Sequence, residues 1–176
     1  MMVEKEYGKV LLFMGVMSTR RFPDPMRKRL EEKFGPVSYV SPSIPFDFTD
    51  YYIPEMGEGI ERFFIAFERL VSSDGLAAVK AFTNALELEY AEDGMRKINL
   101  DPGTISEGNV ILATTKNRAH RIAIGHNLYA EVTLMYHHKG FEAFPWTYAD
   151  YRSERVQEFL VEMRKYYFRR LREENL

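Results

Sequence analysis

The run Val10-Leu-Leu-Phe-Met-Gly-Val-Met17 is apolar at every position but one. It is too uniform for a strand with one wet face, and far short of the ~18 apolar residues that span a bilayer. It therefore reads as a central strand covered on both faces. A helix follows. Asp24 is placed to cap it, Pro25 suits its first turn, and Met26, Leu30 and Phe34 recur every four residues before Gly35 and Pro36 stop it. Val37 to Val40 then reads as a second strand.

Residues 41–59 hold three prolines and two glycines and read as irregular, with a short half-buried strand fitting the alternation in Phe46-Asp-Phe-Thr-Asp-Tyr51. Over 62–70, Phe63, Ile65 and Phe67 suit a strand while Ile60, Phe64, Phe67 and Val71 suit a helix, and the strand is the preferred reading. Ser72-Ser73-Asp74 precedes a helix over about 74–91, whose apolar positions Leu76, Val79, Phe82, Leu86 and Tyr90 keep a three-to-four spacing. Lys97 to Leu100 reads as a strand ended by a turn at Asp101-Pro-Gly103. Residues 109–116, 119–125 and 128–136 read as three strands of an antiparallel meander, with turns at Asn117-Arg118 and His126-Asn127. An amphipathic helix over 153–172 closes the chain, with Val156, Phe159, Leu160, Met163, Tyr167 and Leu171 along one side.

The expectation is one α+β domain over residues 1–176, a mixed and largely antiparallel sheet with helices packed on it. The order strand–helix–strand–strand–helix–strand matches a ferredoxin-like core, extended by a hairpin and a C-terminal helix.

Composition narrows function by exclusion. The 176 residues carry a net charge of −2, which argues against a protein whose main task is neutralising nucleic-acid phosphates. There is no cysteine, so disulfides, thiolate ligands and cysteine nucleophiles are excluded. Met1 to Lys9 is charged and carries no signal-peptide core, and the expected location is the cytoplasm with no membrane contact. A single glutamine, Gln157, beside many Glu, Lys and Arg leans towards a thermophilic source. With 13 Phe and 11 Tyr, aromatic packing is expected to carry much of the core. Neither G-x-x-x-x-G-K-[ST] nor G-x-G-x-x-G occurs, so the common nucleotide-phosphate cradles are absent. Nothing in the sequence sets an oligomeric state.

The meander offers the best placed chemistry. Its turns set Thr115 opposite His120 and His120 opposite Thr133, which brings Thr115, His120, Glu131 and Thr133 onto one face. A histidine beside a carboxylate is an acid–base pair or two ligands of a divalent metal. A one-residue slip would put Arg121 beside Glu131 instead, as a structural ion pair.

Other clusters are weaker. His137 and His138 fit a solvated turn better than a metal site. Ser18-Thr19-Arg20-Arg21 could meet an anion at a helix start. Asp47, Asp50, Glu55 and Asp101 could hold Mg²⁺ or Ca²⁺, or could simply bond their own backbones in turns. Phe144 to Tyr151 contains the only tryptophan and either pins the last helix or offers stacking faces. The last helix carries Arg155, Arg164, Lys165, Arg169, Arg170 and Arg172, with Arg152 just before it; the helix dipole favours cations at its end.

Several strings in fixed order carry a resemblance. They are Ile44-Pro-Phe-Asp-Phe-Thr-Asp-Tyr-Tyr52, Glu55-Met-Gly57, Phe82-Thr-Asn84, Ile98-Asn-Leu-Asp-Pro-Gly103, Leu112-Ala-Thr-Thr-Lys116, Tyr129-Ala-Glu-Val-Thr-Leu134 and Pro145-Trp-Thr-Tyr148. Together they resemble a prokaryotic family known only as domain-of-unknown-function family 4416, across nearly the whole chain. The resemblance implies no reaction, cofactor or partner. It draws attention to Asp47, Asp101, Lys116 and Glu131, with His120 and Arg121 between two of the strings.

The functional expectation is a small-molecule or phosphate-ester site on the polar face of the meander, for binding or hydrolysis. His120 would be the acid–base group, Glu131 its orienter or a metal ligand, and Lys116 or Arg121 the anion-binding cation, with Asp101 and Asp47 as further ligand contacts. The rival is a non-catalytic module holding protein or RNA through Trp146, Tyr148, Tyr151 and the basic helix.

Overall fold

The computed structural model describes residues 6–174. Most of the charged start read over Met1 to Lys9 therefore lies outside the described residues. The chain is α+β: the described residues form a nine-stranded antiparallel sheet with four α-helices. Strand β1 (Lys9–Ser18) is central, and α1 (Asp24–Phe34) leads to β2 (Val37–Val40). A two-residue β3 (Ile44–Pro45) and a one-turn α2 (Ile53–Met56) precede β4 (Glu61–Ser72). Helix α3 (Leu76–Glu89) returns the chain to β5 (Ile98–Ile105). Then come β6 (Asn109–Thr114), β7 (Ile122–Gly125), β8 (Leu128–His137), β9 (Gly140–Ala143) and α4 (Glu154–Glu173).

The first four long-range strands lie in the order β2-β4-β1-β5, all antiparallel, which is the split βαβ arrangement of a ferredoxin-like core. Strand β1 carries a fully buried face on each side. Leu11 and Phe13 join Phe159, Leu160 and Met163 of α4 in one cluster. Leu12, Met14 and Val16 join Met26, Leu30 and Phe34 of α1 and Val79 and Leu86 of α3 in the other. That two-sided cover is why the run is apolar without alternation. Among the described residues no helix is long and apolar enough to cross a membrane.

Four expectations need correction. The meander is not consecutive: β6 pairs with β8, and β7 sits outside β8 at the sheet edge. The physical reason is burial. Strand β8 has Leu128, Glu131, Thr133 and Leu134 to bury, whereas β7 leaves Ile122, Ala123 and Gly125 exposed and suits an edge. Thr115 is thus not opposite His120, nor His120 opposite Thr133, and His120 precedes β7 in a loop.

Second, Asp101-Pro-Gly103 is no turn but the middle of β5, paired with Gly15, Met14 and Phe13. Third, Asp24 is the first residue of α1 and makes no side-chain cap; the cap position is Pro23. Fourth, 46–51 forms no strand; the short elements there are β3 and α2. The His126-Asn127 turn stands where expected, both residues having positive φ (54° and 56°), as a tight hairpin turn demands. A second such turn at His138-Lys139 leads into β9, an element without a sequence expectation.

Candidate functional site

Strands β5 and β6 form a fork. They pair only over Gly103–Ile105 and Val110–Leu112, and towards residue 98 the two strands part. Here β5 has a free edge, and α3 covers it with side chains. Lys80 Nζ donates to the Leu100 carbonyl at 2.8 Å, and the Leu100 N–H donates to Glu87 Oε1 at 2.6 Å. Alternation in the strand points the backbone of residue 102 to the same edge, where Pro102 has no N–H to leave unpaired. Gly103 closes the fork: a Cβ there would lie 2.6 Å from Leu112 and 2.7 Å from Phe13.

Within the fork lies a cavity of about 700 Å³. Its floor is charged. Arg62, on β4, has a side chain only 3% exposed and meets Asp101 at 3.1 Å and Asp150 at 3.2 Å. Its guanidinium lies over the Phe64 ring, 4.9 Å from the centroid. Gly15 makes the space, since a Cβ there would stand 2.5 Å from an Arg62 nitrogen. Arg96 binds Glu55 with two bonds, 2.6 and 2.8 Å, and reaches Glu87 and Asn99 at 2.9 Å each. It thereby ties α2 to α3 and β5. Among the described residues, the buried Arg62 Nε, Asn99 Nδ2 and Tyr151 hydroxyl have no hydrogen-bond partner.

Burial opposes the charge on Asp101, but Lys80 and Arg62 outweigh it and hold the carboxyl below its ordinary value. Burial prevails at Asp150 and Glu87 and raises both, despite Arg62 near the first and Lys80 near the second. Arg62 itself is opposed by burial yet stays above its usual range, held there by Asp150, Tyr151 and Asp101. Asp101 differs from its neighbours in access. Its side chain is 28% exposed and lines the cavity.

The walls are aromatic. Phe46, Phe48, Tyr51 and Tyr52, on the arm between β3 and α2, face the cavity, as does Tyr148. At its rim Lys116 Nζ stands 3.9 Å from the centre of the Tyr51 ring.

The six residues singled out by sequence divide around this cavity. Asp101, Lys116 and Glu131 line it. His120 and Arg121 stand behind Glu131, and Asp47 is exposed beyond the cavity lining. His120 Nε2 and Arg121 Nε both contact Glu131 Oε2, at 2.9 and 2.8 Å, while Thr133 donates to Oε1 at 3.1 Å. Both carboxylate oxygens are therefore engaged. Arg121 also donates to the Lys116 carbonyl at 2.7 Å and the Tyr148 hydroxyl at 2.9 Å, fixing two pieces of the rim.

His120 stacks on Trp146 (4.7 Å between centroids, 10° between planes), and Trp146 stacks on Phe144 at 4.7 Å. The indole N–H donates to the Val132 carbonyl at 3.0 Å. The tryptophan is pinned to the sheet, with both faces covered.

The other clusters stay apart. Among the described residues no three His, Asp or Glu side chains form a metal-binding group, and Glu55 is bound to Arg96 rather than joined to Asp47 and Asp50. Arg20 pairs with Glu92, and Arg21 with Asp24. In α4, Arg164 lies over Tyr136 and donates to the Glu107 carbonyl, and Arg170 meets Glu68, Glu173 and Glu174.

Sequence reasoning missed Arg62, Lys80, Glu87, Arg96 and Asn99. Two signals pointed to the first three: an arginine near the start of an aromatic strand, and a polar stripe Lys80–Thr83–Glu87 at helical spacing on a largely apolar helix; nothing comparable marked Arg96 or Asn99.

No curated protein and no solved structure matches the chain. A family model described as "Domain of unknown function (DUF4416)" matches residues 8–167. The strings that build the fork, its floor and its aromatic arm thus lie inside the matched region, and the chain belongs to the DUF4416 family.

Proposed function

We propose that the protein binds a small, ring-bearing polar molecule in the fork between β5 and β6. The ring lies against the aromatic arm, and a hydrogen-bond donor of the ligand meets Asp101. The observation that carries this reading is the access of Asp101. A carboxylate that served only to neutralise Arg62 and Lys80 would be shut away with them. This one is held ionised yet faces a cavity of about 700 Å³, within the range of small-molecule sites. Aromatic walls with a few convergent polar groups are the usual composition of such a site.

In this reading binding, and not hydrolysis through His120, is the activity. His120 and Arg121 share one oxygen of Glu131 and Thr133 takes the other, so the pair anchors a wall from behind.

The test is a thermal-shift screen of ring-bearing metabolites, sugar phosphates, amino acids and divalent metals. A ligand at ~100 times its Kd adds about 2.7 kcal/mol, a shift of several degrees. We expect ring-bearing compounds alone to give it. Asp101→Asn should abolish the shift, and His120→Ala should retain it. A shift unchanged in Asp101→Asn, or lost in His120→Ala, would overturn the reading.

A further inference from the structure

Four cations line the cavity: Arg62, Lys80, Arg96 and Lys116. Three are opposed by carboxylates, Arg62 and Lys80 by Asp101 at 3.1 and 3.7 Å, and Arg96 by Glu55 and Glu87 at 2.6 and 2.9 Å. The lining acids are also matched. Glu87 has Arg96, Asp101 and Asp150 have Arg62, and Glu131 has Arg121 at 2.8 Å. Lys116 alone among the described lining residues has no partner of opposite charge; its ammonium rests on the face of Tyr51. Thr49, Thr114 and Thr115 line the same cavity, with the Thr49 and Thr114 hydroxyls accepting from the Tyr51 and Lys116 backbone N–H groups at 3.2 Å each.

Lys116 at the rim is therefore the one lining cation left without a carboxylate, while at the floor three cations, Arg62, Lys80 and Arg96, already face four carboxylates, Asp101, Asp150, Glu55 and Glu87. An ion pair at an exposed rim costs less desolvation than one at the floor, so the rim is where a ligand's charge is best placed. A lysine ammonium offers three rotatable donors, and threonine hydroxyls can turn to donate as well, a set suited to an oxygen-rich anion.

We propose that the ligand is a planar ring carrying one phosphate ester, with the ring inward against the aromatic arm and the phosphate at Lys116 and the threonine hydroxyls. This rests on the cavity being the binding site, and adds the ligand's charge, its class and its orientation. Recruitment of Lys116 by the phosphate uncovers the Tyr51 face it now occupies, so anion binding and ring stacking reinforce each other.

The test is calorimetric titration of the full chain with matched pairs: uridine and its 5′-monophosphate, pyridoxine and its 5′-phosphate, riboflavin and flavin mononucleotide. Orotate serves as a ring carrying a carboxylate. We expect at least one phosphorylated member to bind tenfold or more tighter than its parent. Lys116→Met should remove that advantage within each pair, and added salt should diminish it in the unaltered protein. Lys116 is exposed, so the variant keeps the fold. Equal affinity within every pair, an advantage that survives Lys116→Met, or a preference for orotate would overturn the assignment of a phosphate ester. If the parents still bind and lose affinity in Asp101→Asn, only this assignment falls; if no ring compound binds, the cavity reading falls with it.

Discussion

The Arg62 guanidinium meets Asp101, Asp150 and the face of Phe64 together, in space that Gly15 leaves open. Removing the cation strands the buried Asp150 and leaves Asp101 with Lys80 alone. Arg62→Met should cost about 3–5 kcal/mol at neutral pH, the usual penalty for breaking a buried pair from one side. The sign with pH follows from the carboxylates. Without Arg62 the Asp150 carboxyl, already raised by burial, rises further above its unfolded value, so the folded protein takes up a proton there more readily than the unfolded chain. The deficit should be largest at pH 7 and shrink as the pH falls towards 4, which urea melts across that range would show. A pH-independent deficit would mean that packing, not charge, is what Arg62 supplies. Gly15→Ala probes the same space: its methyl would displace the guanidinium at a cost of about 1–3 kcal/mol, read as a lower denaturation midpoint.

The arm over the cavity is fastened at one end by the Arg96–Glu55 pair, and beyond it Gly57 and Gly59 hold positive φ (93° and 73°), conformations that glycine adopts without strain. Arg96→Met should loosen it. The Met56 and Gly57 amides, bonded to the Tyr52 and Ile53 carbonyls, should exchange hydrogen about tenfold faster, the scale set by losing a charge-assisted bond. Amides of β1 should be unaffected. Elements whose local chemistry and burial agree were legible before the structure: the two-sided β1 run, α1, α3, α4 and the ferredoxin-like order. The fork was not, because its chemistry means something different in place. Pro102 and Gly103 carry turn signals, yet here one sits on an edge without a partner strand and the other leaves room for Phe13 and Leu112. The β6–β8 pairing is decided by how much each strand can bury, a property of the whole sheet. Glu131 shows the same limit. The consecutive register put His120 beside it and a slipped register put Arg121 there; a loop brings both.

At the scale of the molecule, cavity and C-terminal helix offer separable accounts of function. The cavity lies in the fork, lined by the arm, α3 and residues 112–116, while α4 packs on the Phe13–Phe64 cluster. Several of its cations already hold the chain's own carbonyls, rings and carboxylates. Charge reversal at Arg164 and Arg170 should therefore lower stability and leave small-ligand affinity within about twofold, since distant sites act independently. The central claim is that the fork is a ligand site, and backbone amide shifts of isotopically labelled protein during titration with the tightest ring phosphate test it most directly. The account predicts saturable shifts in residues 46–52, 99–101 and 112–116, absent throughout in Asp101→Asn and absent at 114–116 in Lys116→Met. Shifts confined to residues 154–173, with the fork silent, would contradict it.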